Sequence, residues 1–162
     1  MNNPVVSAIA DAYARNTWTT LRFNFRGTGN SGGQYADGIG EQEDVQAAVI
    51  YLRQKGYRFI DLAGYSFGSW VLANWSRKHA PHHHRLILVA PPVAFVDFDC
   101  QAPIPGLHHV LTGSHDDYAP LATIQSAMPH WSPSARLTEI QGADHFMGRQ
   151  LAALGQLITA LV

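Results

Sequence analysis

The sequence has little cysteine and no long apolar run. Cys100 is the only cysteine among 162 residues, which excludes a disulfide within the chain and favours a reducing compartment. No stretch of about 18 apolar residues could span a bilayer, and residues 1–4 lack the charged-then-apolar pattern of a secretory signal. We therefore expect a cytoplasmic protein without a membrane partner.

An excess of charge of either sign is also missing. Lysine and arginine number 11 against 12 aspartate and glutamate, which gives a formal net charge of −1 with the histidines neutral. Such a chain creates no basic field that would attract nucleic acid or anionic lipid. We expect no nucleic-acid partner, and a small uncharged substrate fits this surface better.

Strand-like and helix-like segments alternate along the chain. Apolar residues at helical spacing predict helices over 4–15, 41–55, 67–78, 121–128 and 148–161. Segments rich in β-branched, aromatic or continuous apolar residues predict strands over 17–25, 59–63, 85–90, 108–112 and 136–140. This alternation predicts one α/β domain over residues 1–162, a mostly parallel sheet of about five strands with helices on both faces.

The central stretch is a short apolar run that leads into Gly64-Tyr65-Ser66-Phe67-Gly68 and then into a predicted helix. A serine on a sharp strand-to-helix turn needs a strained backbone, and we expect Gly64 and Gly68 to remove Cβ atoms that would clash there. Ser66 is the candidate nucleophile. Because this pentapeptide also occurs in ordinary loops, the rest of the chain must decide its role.

Two later loops carry groups that could serve a nucleophilic serine. Residues 113–120 follow the fourth predicted strand and contain Asp116, and residues 141–146 follow the fifth and contain His145. In an open parallel sheet, catalytic and binding residues lie in the loops at the carboxyl ends of the strands. The order Ser, Asp, His along the chain is the one that an α/β-hydrolase arrangement requires. Asp117 competes with Asp116 for the acidic position, and Asp97 and Asp99 are weaker alternatives after the third strand.

Two other motifs, a glycine-rich loop and a run of histidines, are weaker indications of a binding site. Residues 27–32 match G-x-G-x-x-G after a strand, but the next helix begins only near Glu41, whereas a dinucleotide-binding turn opens its helix within the glycines. The run His82-His83-His84 follows a proline without a cysteine or carboxylate pattern, so we expect a solvated loop and no metal site. We expect no cofactor.

The sequence resembles the α/β-hydrolase superfamily, and more narrowly its small, lidless bacterial serine hydrolases of the dienelactone-hydrolase-like and esterase type. The matching motifs cover most of the chain and are residues 22–31, 62–68, 88–92, 113–116 with Pro120, and 142–146. The resemblance implies that Ser66 is the nucleophile, His145 the base and Asp116 the acid that orients the base. It also implies that the backbone N–H of Phe67 is one donor of an oxyanion hole.

The resemblance also implies that the first strands of the family's fold are missing from this chain. Members of the family carry about three strands before the helix with which this chain opens, and the loop before that helix supplies the second oxyanion donor. We therefore expect an N-terminally incomplete domain. The strand that belongs between 17–25 and 59–63 would be absent and leave two interior edges unpaired, and such exposed edges would favour homo-oligomers. A targeting signal could lie in such missing sequence.

The expected function is hydrolysis of carboxylic esters or thioesters through a Ser-His-Asp triad, without metal or cofactor. The alternative is a catalytically impaired hydrolase-fold fragment with a binding or structural role. A nucleotide-binding α/β domain is a third hypothesis, which depends on the glycine loop alone. Fold and triad together do not name the substrate.

Overall fold

The computed structural model describes residues 2–79 and 84–162 and contains four strands within them. The elements are α1 (Pro4–Arg15), α2 (Gly40–Gln54), β1 (Ile60–Tyr65), α3 (Phe67–His79), β2 (His84–Val89), β3 (Leu107–Gly113), α4 (Leu121–Trp131), β4 (Arg136–Ile140) and α5 (Leu151–Leu161). The strands lie in the order β1-β2-β3-β4, and every neighbouring pair is parallel. The predicted α/β class with a parallel sheet is confirmed.

Apolar strands and helices form the core. The central strands β2 and β3 carry a run of buried apolar side chains, as expected for parallel strands that are covered on both faces. α1 packs against α5 and β1, whereas α2 packs on α3, which lies against β1 and β2. These contacts hold the carboxyl ends of the strands in fixed positions.

The predicted strand over 17–25 is wrong. Residues 18–25 have no strand structure, Thr17 has a positive φ of 66°, and the side chains of residues 17–23 are exposed. Their β-branched and aromatic types suit a strand, but a strand forms only where a neighbour completes its backbone hydrogen bonds. Within the described residues no strand lies beside this segment, so the sheet has four strands instead of about five.

Local hydrogen bonds and backbone conformation determine where helices α1 and α5 begin. Asn3 caps α1, because its Oδ1 accepts hydrogen bonds from the N–H groups of Val5 (2.9 Å) and Val6 (3.2 Å). α5 begins at Leu151, later than the predicted 148, because Met147 has a φ of +56° and the N–H of Gln150 donates to its carbonyl at 2.9 Å. A turn therefore precedes α5.

None of the helices in the described part of the chain has both the length and the apolar character needed to cross a bilayer.

Candidate active site

Ser66 occupies a sharp turn between β1 and α3. Its φ is +50°, and its N–H donates to the carbonyl of Val89 on the neighbouring strand at 2.9 Å. A Cβ on Gly64 would lie 2.6 Å from the carbonyl oxygen of Gly68, so only glycine fits at Gly64. The predicted steric role of Gly68 is wrong, since a Cβ there would meet no heavy atom within 4 Å. The turn presents the serine hydroxyl at the carboxyl edge of the sheet.

A chain of hydrogen bonds links this hydroxyl to a histidine and a carboxylate. The Oγ of Ser66 lies 2.8 Å from Nε2 of His145, and Nδ1 of His145 lies 2.9 Å from both Oδ1 and Oδ2 of Asp116. His145 and Asp116 are both buried. The three residues named from the sequence therefore meet in one place.

The backbone fixes the orientation of the Asp116 carboxylate. Its Oδ1 accepts hydrogen bonds from the N–H groups of Tyr118 at 3.0 Å and Ala119 at 2.8 Å. These bonds close a tight turn directly after β3. The carboxylate is thus held against the imidazole by the backbone of its own loop.

Contacts between the loops after β3 and β4 bring Asp116 and His145 together. The N–H of His115 donates to the carbonyl of Ala143 at 2.9 Å, and the N–H of Gly142 donates to Oγ of Ser114 at 2.8 Å. A Cβ on Gly113 would lie 2.2 Å from the Ala143 carbonyl oxygen, so the two loops approach each other as closely as backbones can. This contact sets the distance between the histidine and its acid.

Tyr65 also positions His145, and the sequence analysis did not identify it. Its hydroxyl donates to the backbone carbonyl of His145 at 2.9 Å, and the two rings lie 5.6 Å apart. Burial, together with the nearby carboxylates of Asp116 and Asp144, raises the pKa of Tyr65 to about 12. The phenol therefore remains a donor at neutral pH.

Phe67 directly follows Ser66 and is the first residue of α3. The N–H groups of a first helical turn have no intrahelical acceptor, and the helix dipole adds positive charge at this end. The N–H of Phe67 therefore belongs to the positive end of α3, directly after Ser66 in the chain.

The alternative acids lie elsewhere. Asp117 is exposed next to Asp116. Asp99 accepts hydrogen bonds from the N–H groups of Gln101 (2.8 Å) and Ala102 (2.9 Å), which lower its pKa, and Asp97 is exposed in the same connection. Among the described residues, Asp116 supplies the carboxylate within hydrogen-bond distance of the imidazole.

Two further motifs singled out in the sequence are the glycine loop and the histidine run. The glycine loop closes on itself through the N–H of Gly27 and the carbonyl of Gly32 at 3.0 Å, and α2 begins only at Gly40. His82 and His83 lie outside the described residues, whereas Nδ1 of His84 lies 3.0 Å from the carbonyl oxygen of Ile60. Across 2–79 and 84–162, no group of three or more His, Cys, Asp and Glu side chains could hold a metal ion.

Glu41 was expected only as an acidic residue at a helix N-terminus, but it is fully buried. Its two carboxylate oxygens accept hydrogen bonds from the N–H groups of Ala36 (2.9 Å) and Gly38 (2.8 Å). A Cβ on Gly38 would lie 2.2 Å from the ring of Trp70, so this loop packs tightly on α3. Glu41 therefore fixes this loop against α3, the helix that follows Ser66.

Comparison with known protein sequences finds a relative without a described function. No protein-family model matches the chain. An uncharacterised protein of Rickettsia prowazekii is 31% identical over 156 residues; the match covers 90% of this chain but only 65% of that protein. This chain thus spans less than two thirds of that relative's length.

Solved structures give a more informative match. An α/β serine hydrolase homologue from Coxiella burnetii is 31% identical with a TM-score of 0.90, and the match covers 100% of this chain and 77% of that one. A serine hydrolase without a lid from Xanthomonas campestris is 30% identical with a TM-score of 0.87, and the match covers 99% and 72% of the two chains. With this sequence identity and this coverage, the chain belongs to the α/β serine hydrolases.

Proposed function

We propose that this chain hydrolyses carboxylic esters or thioesters through an acyl-enzyme formed on Ser66. The observation that carries the proposal is the unbroken hydrogen-bond chain from Oγ of Ser66 through His145 to Asp116. An alcohol becomes a useful nucleophile at neutral pH only when a positioned base removes its proton. This arrangement supplies the base and the group that orients it.

In the first half-reaction, Nε2 of His145 takes the proton from Oγ of Ser66 as Oγ attacks the carbonyl carbon. The carbonyl oxygen becomes an oxyanion, and the N–H of Phe67 at the start of α3 donates a hydrogen bond to it. The bond from carbon to the leaving oxygen or sulfur then breaks. The leaving group takes the proton from Nε2 and departs as an alcohol or thiol.

In the second half-reaction, a water molecule replaces the leaving group. Nε2 of His145 removes a proton from the water, whose oxygen attacks the acyl carbon. The bond between the acyl carbon and Oγ of Ser66 breaks, and Oγ regains its proton from Nε2. The products are a carboxylic acid and the free enzyme.

Asp116 keeps the imidazole in the productive tautomer. With a proton on Nδ1 held by the carboxylate at 2.9 Å, Nε2 presents a lone pair to the serine hydroxyl. The buried carboxylate also stabilises the imidazolium that forms in each half-reaction. In this mechanism Asp116 does not take the proton from the imidazole.

An acyl-enzyme experiment tests this mechanism. Mixing the protein with p-nitrophenyl acetate should release a burst of p-nitrophenol close to one equivalent per chain, and quenched protein should carry one acetyl group on the peptide containing Ser66. An acetyl thioester should acetylate the same residue. Ser66→Ala should lose the burst, whereas Ser134→Ala, which removes an exposed hydroxyl outside the site, should retain it. A burst that persists in Ser66→Ala would overturn the proposal.

A further inference from the structure

Three aromatic side chains form a cluster beside the imidazole of His145. The ring centroid of Tyr118 lies 4.8 Å from that of His145 and 5.3 Å from that of Phe95. The ring of Phe146 lies 5.6 Å from His145 and 6.5 Å from Tyr118. We call Phe95, Tyr118 and Phe146 the aromatic cluster.

The aromatic cluster does not belong to the core. Phe95 is 71% exposed, Phe146 is 64% exposed and Tyr118 is 38% exposed. Phe98, on the same connection as Phe95, is buried and packs on Trp131 at 5.1 Å, so that connection already has its own core anchor. Neighbouring exposed aromatic rings form an apolar patch of the kind that contacts ligands.

Hydrogen bonds hold the backbone that carries these rings. The N–H of Ala94 donates to the carbonyl of Tyr118 at 3.0 Å, which ties the Phe95 segment to the turn after β3. The N–H of Phe146 donates to Oδ1 of Asp144 at 3.1 Å. The backbone that carries the cluster is therefore held before a ligand binds, which reduces the entropy cost of binding.

The proposed mechanism requires the leaving group of the substrate to lie beside the imidazole of His145. Nε2 of His145 must reach the leaving oxygen or sulfur within a hydrogen-bond distance of about 3 Å. The alcohol or thiol portion of the substrate therefore begins beside the imidazole and extends across its neighbours. Tyr118 and Phe146 are two such neighbours, and Phe95 adjoins Tyr118.

The arrangement of the rings favours an aromatic ligand. Phe95 meets Tyr118 at an interplanar angle of 69°, and Phe146 meets Tyr118 at 70°. Rings that stand nearly perpendicular offer both a face and an edge to a further ring, and aromatic pairs gain stabilisation beyond the burial of their area. A saturated ring of the same size gains only the burial.

We propose, on the basis of the proposed hydrolase function, that the aromatic cluster binds the alcohol or thiol portion of the substrate and makes the enzyme selective for arylmethyl leaving groups. Benzyl acetate and cyclohexylmethyl acetate test this selectivity, because they share the acyl group and a six-membered ring on the same methylene. Each kcat/KM is divided by the ester's rate constant for alkaline hydrolysis, which removes the difference in leaving-group acidity. The normalised kcat/KM for benzyl acetate should exceed that for cyclohexylmethyl acetate by about three- to tenfold.

Leucine variants locate the source of the preference. Phe95→Leu and Phe146→Leu should each move the ratio of the two normalised kcat/KM values toward one. Phe59→Leu is the matched control, because Phe59 is 74% exposed but precedes the amino end of β1, at the opposite end of the strand from Ser66. This control should keep the wild-type ratio. A preference that survives both Phe95→Leu and Phe146→Leu would overturn the assignment.

Labelling of the same preparations with a fluorophosphonate separates this inference from the proposed function. If Ser66 is labelled but the two esters react equally, or neither reacts, the inference is wrong while the nucleophile stands. If folded wild-type protein is not labelled at all, the proposed function itself fails.

Discussion

The Oγ of Ser66 lies 2.8 Å from Nε2 of His145, although 79 residues separate them in the sequence. Ser66 follows β1 at one edge of the sheet, and His145 follows β4 at the other. Their contact depends on parallel strands that all end on one side and on a loop that reaches back across that side.

Asp116→Asn should lower kcat by about 10⁴-fold, because an amide no longer holds the imidazole with its proton on Nδ1. Steady-state hydrolysis of p-nitrophenyl acetate measures the loss. Asp117→Asn is the matched control, since Asp117 is exposed and adjacent, and it should retain most of the activity. The reverse pattern would transfer the orienting role to Asp117.

Gly64→Ala should lower the free energy of unfolding by about 1–3 kcal/mol, because its Cβ would press on the backbone of Gly68. Gly68→Ala adds the same methyl group on the other side of the serine, where nothing lies within 4 Å, and should change stability little. Urea unfolding of both variants makes the comparison. Equal destabilisation by the two would contradict the packing described for this turn.

Tyr65→Phe should reduce the fall in the free energy of unfolding that accompanies a rise to alkaline pH. The pKa of Tyr65 is raised from 10.0 to about 12, so the folded protein holds this proton after the unfolded chain has lost it. Stability therefore falls as the pH rises from about 10 to about 12, and a phenylalanine removes that contribution. Unfolding measured across this range checks the slope. Tyr57→Phe, which removes an exposed phenol, should keep the wild-type slope, and an identical slope in Tyr65→Phe would contradict the raised pKa.

Glu41→Gln should destabilise the protein by about 1–3 kcal/mol, because the new amide group would face one of the two buried backbone N–H groups and leave it without an acceptor. Glu43→Gln provides the comparison, since Glu43 is exposed and only forms a surface ion pair with Arg26, worth at most about 1 kcal/mol. Thermal unfolding distinguishes the two. A larger effect at Glu43 would contradict the role given to Glu41.

Local spacing explains why much of the candidate site could be predicted. The pentapeptide around Ser66 encodes its own turn, and the loops with Asp116 and His145 each follow a recognisable apolar strand. A parallel sheet then brings such loops to one edge without further information. Their catalytic roles stay predictions.

Features that depend on distant partners could not be predicted in this way. The segment 17–25 has the side chains of a strand, but strand structure depends on a neighbouring strand that the segment itself cannot specify. The sequence predicts Glu41 only as an acidic residue in the first turn of a helix. Its burial depends on how the preceding loop folds over it. The contact between Tyr65 and His145 spans 80 residues, which no local pattern reveals.

Fluorophosphonate labelling followed by peptide mass spectrometry tests the central claim most directly, because it reports an activated serine without requiring turnover. We predict one adduct per chain, on Ser66, which is absent in Ser66→Ala and strongly reduced in His145→Ala. His115→Ala, which removes an exposed histidine from the loop after β3, should label like the wild type. Folded protein that is not labelled, or an adduct that persists on another residue in Ser66→Ala, would contradict the account.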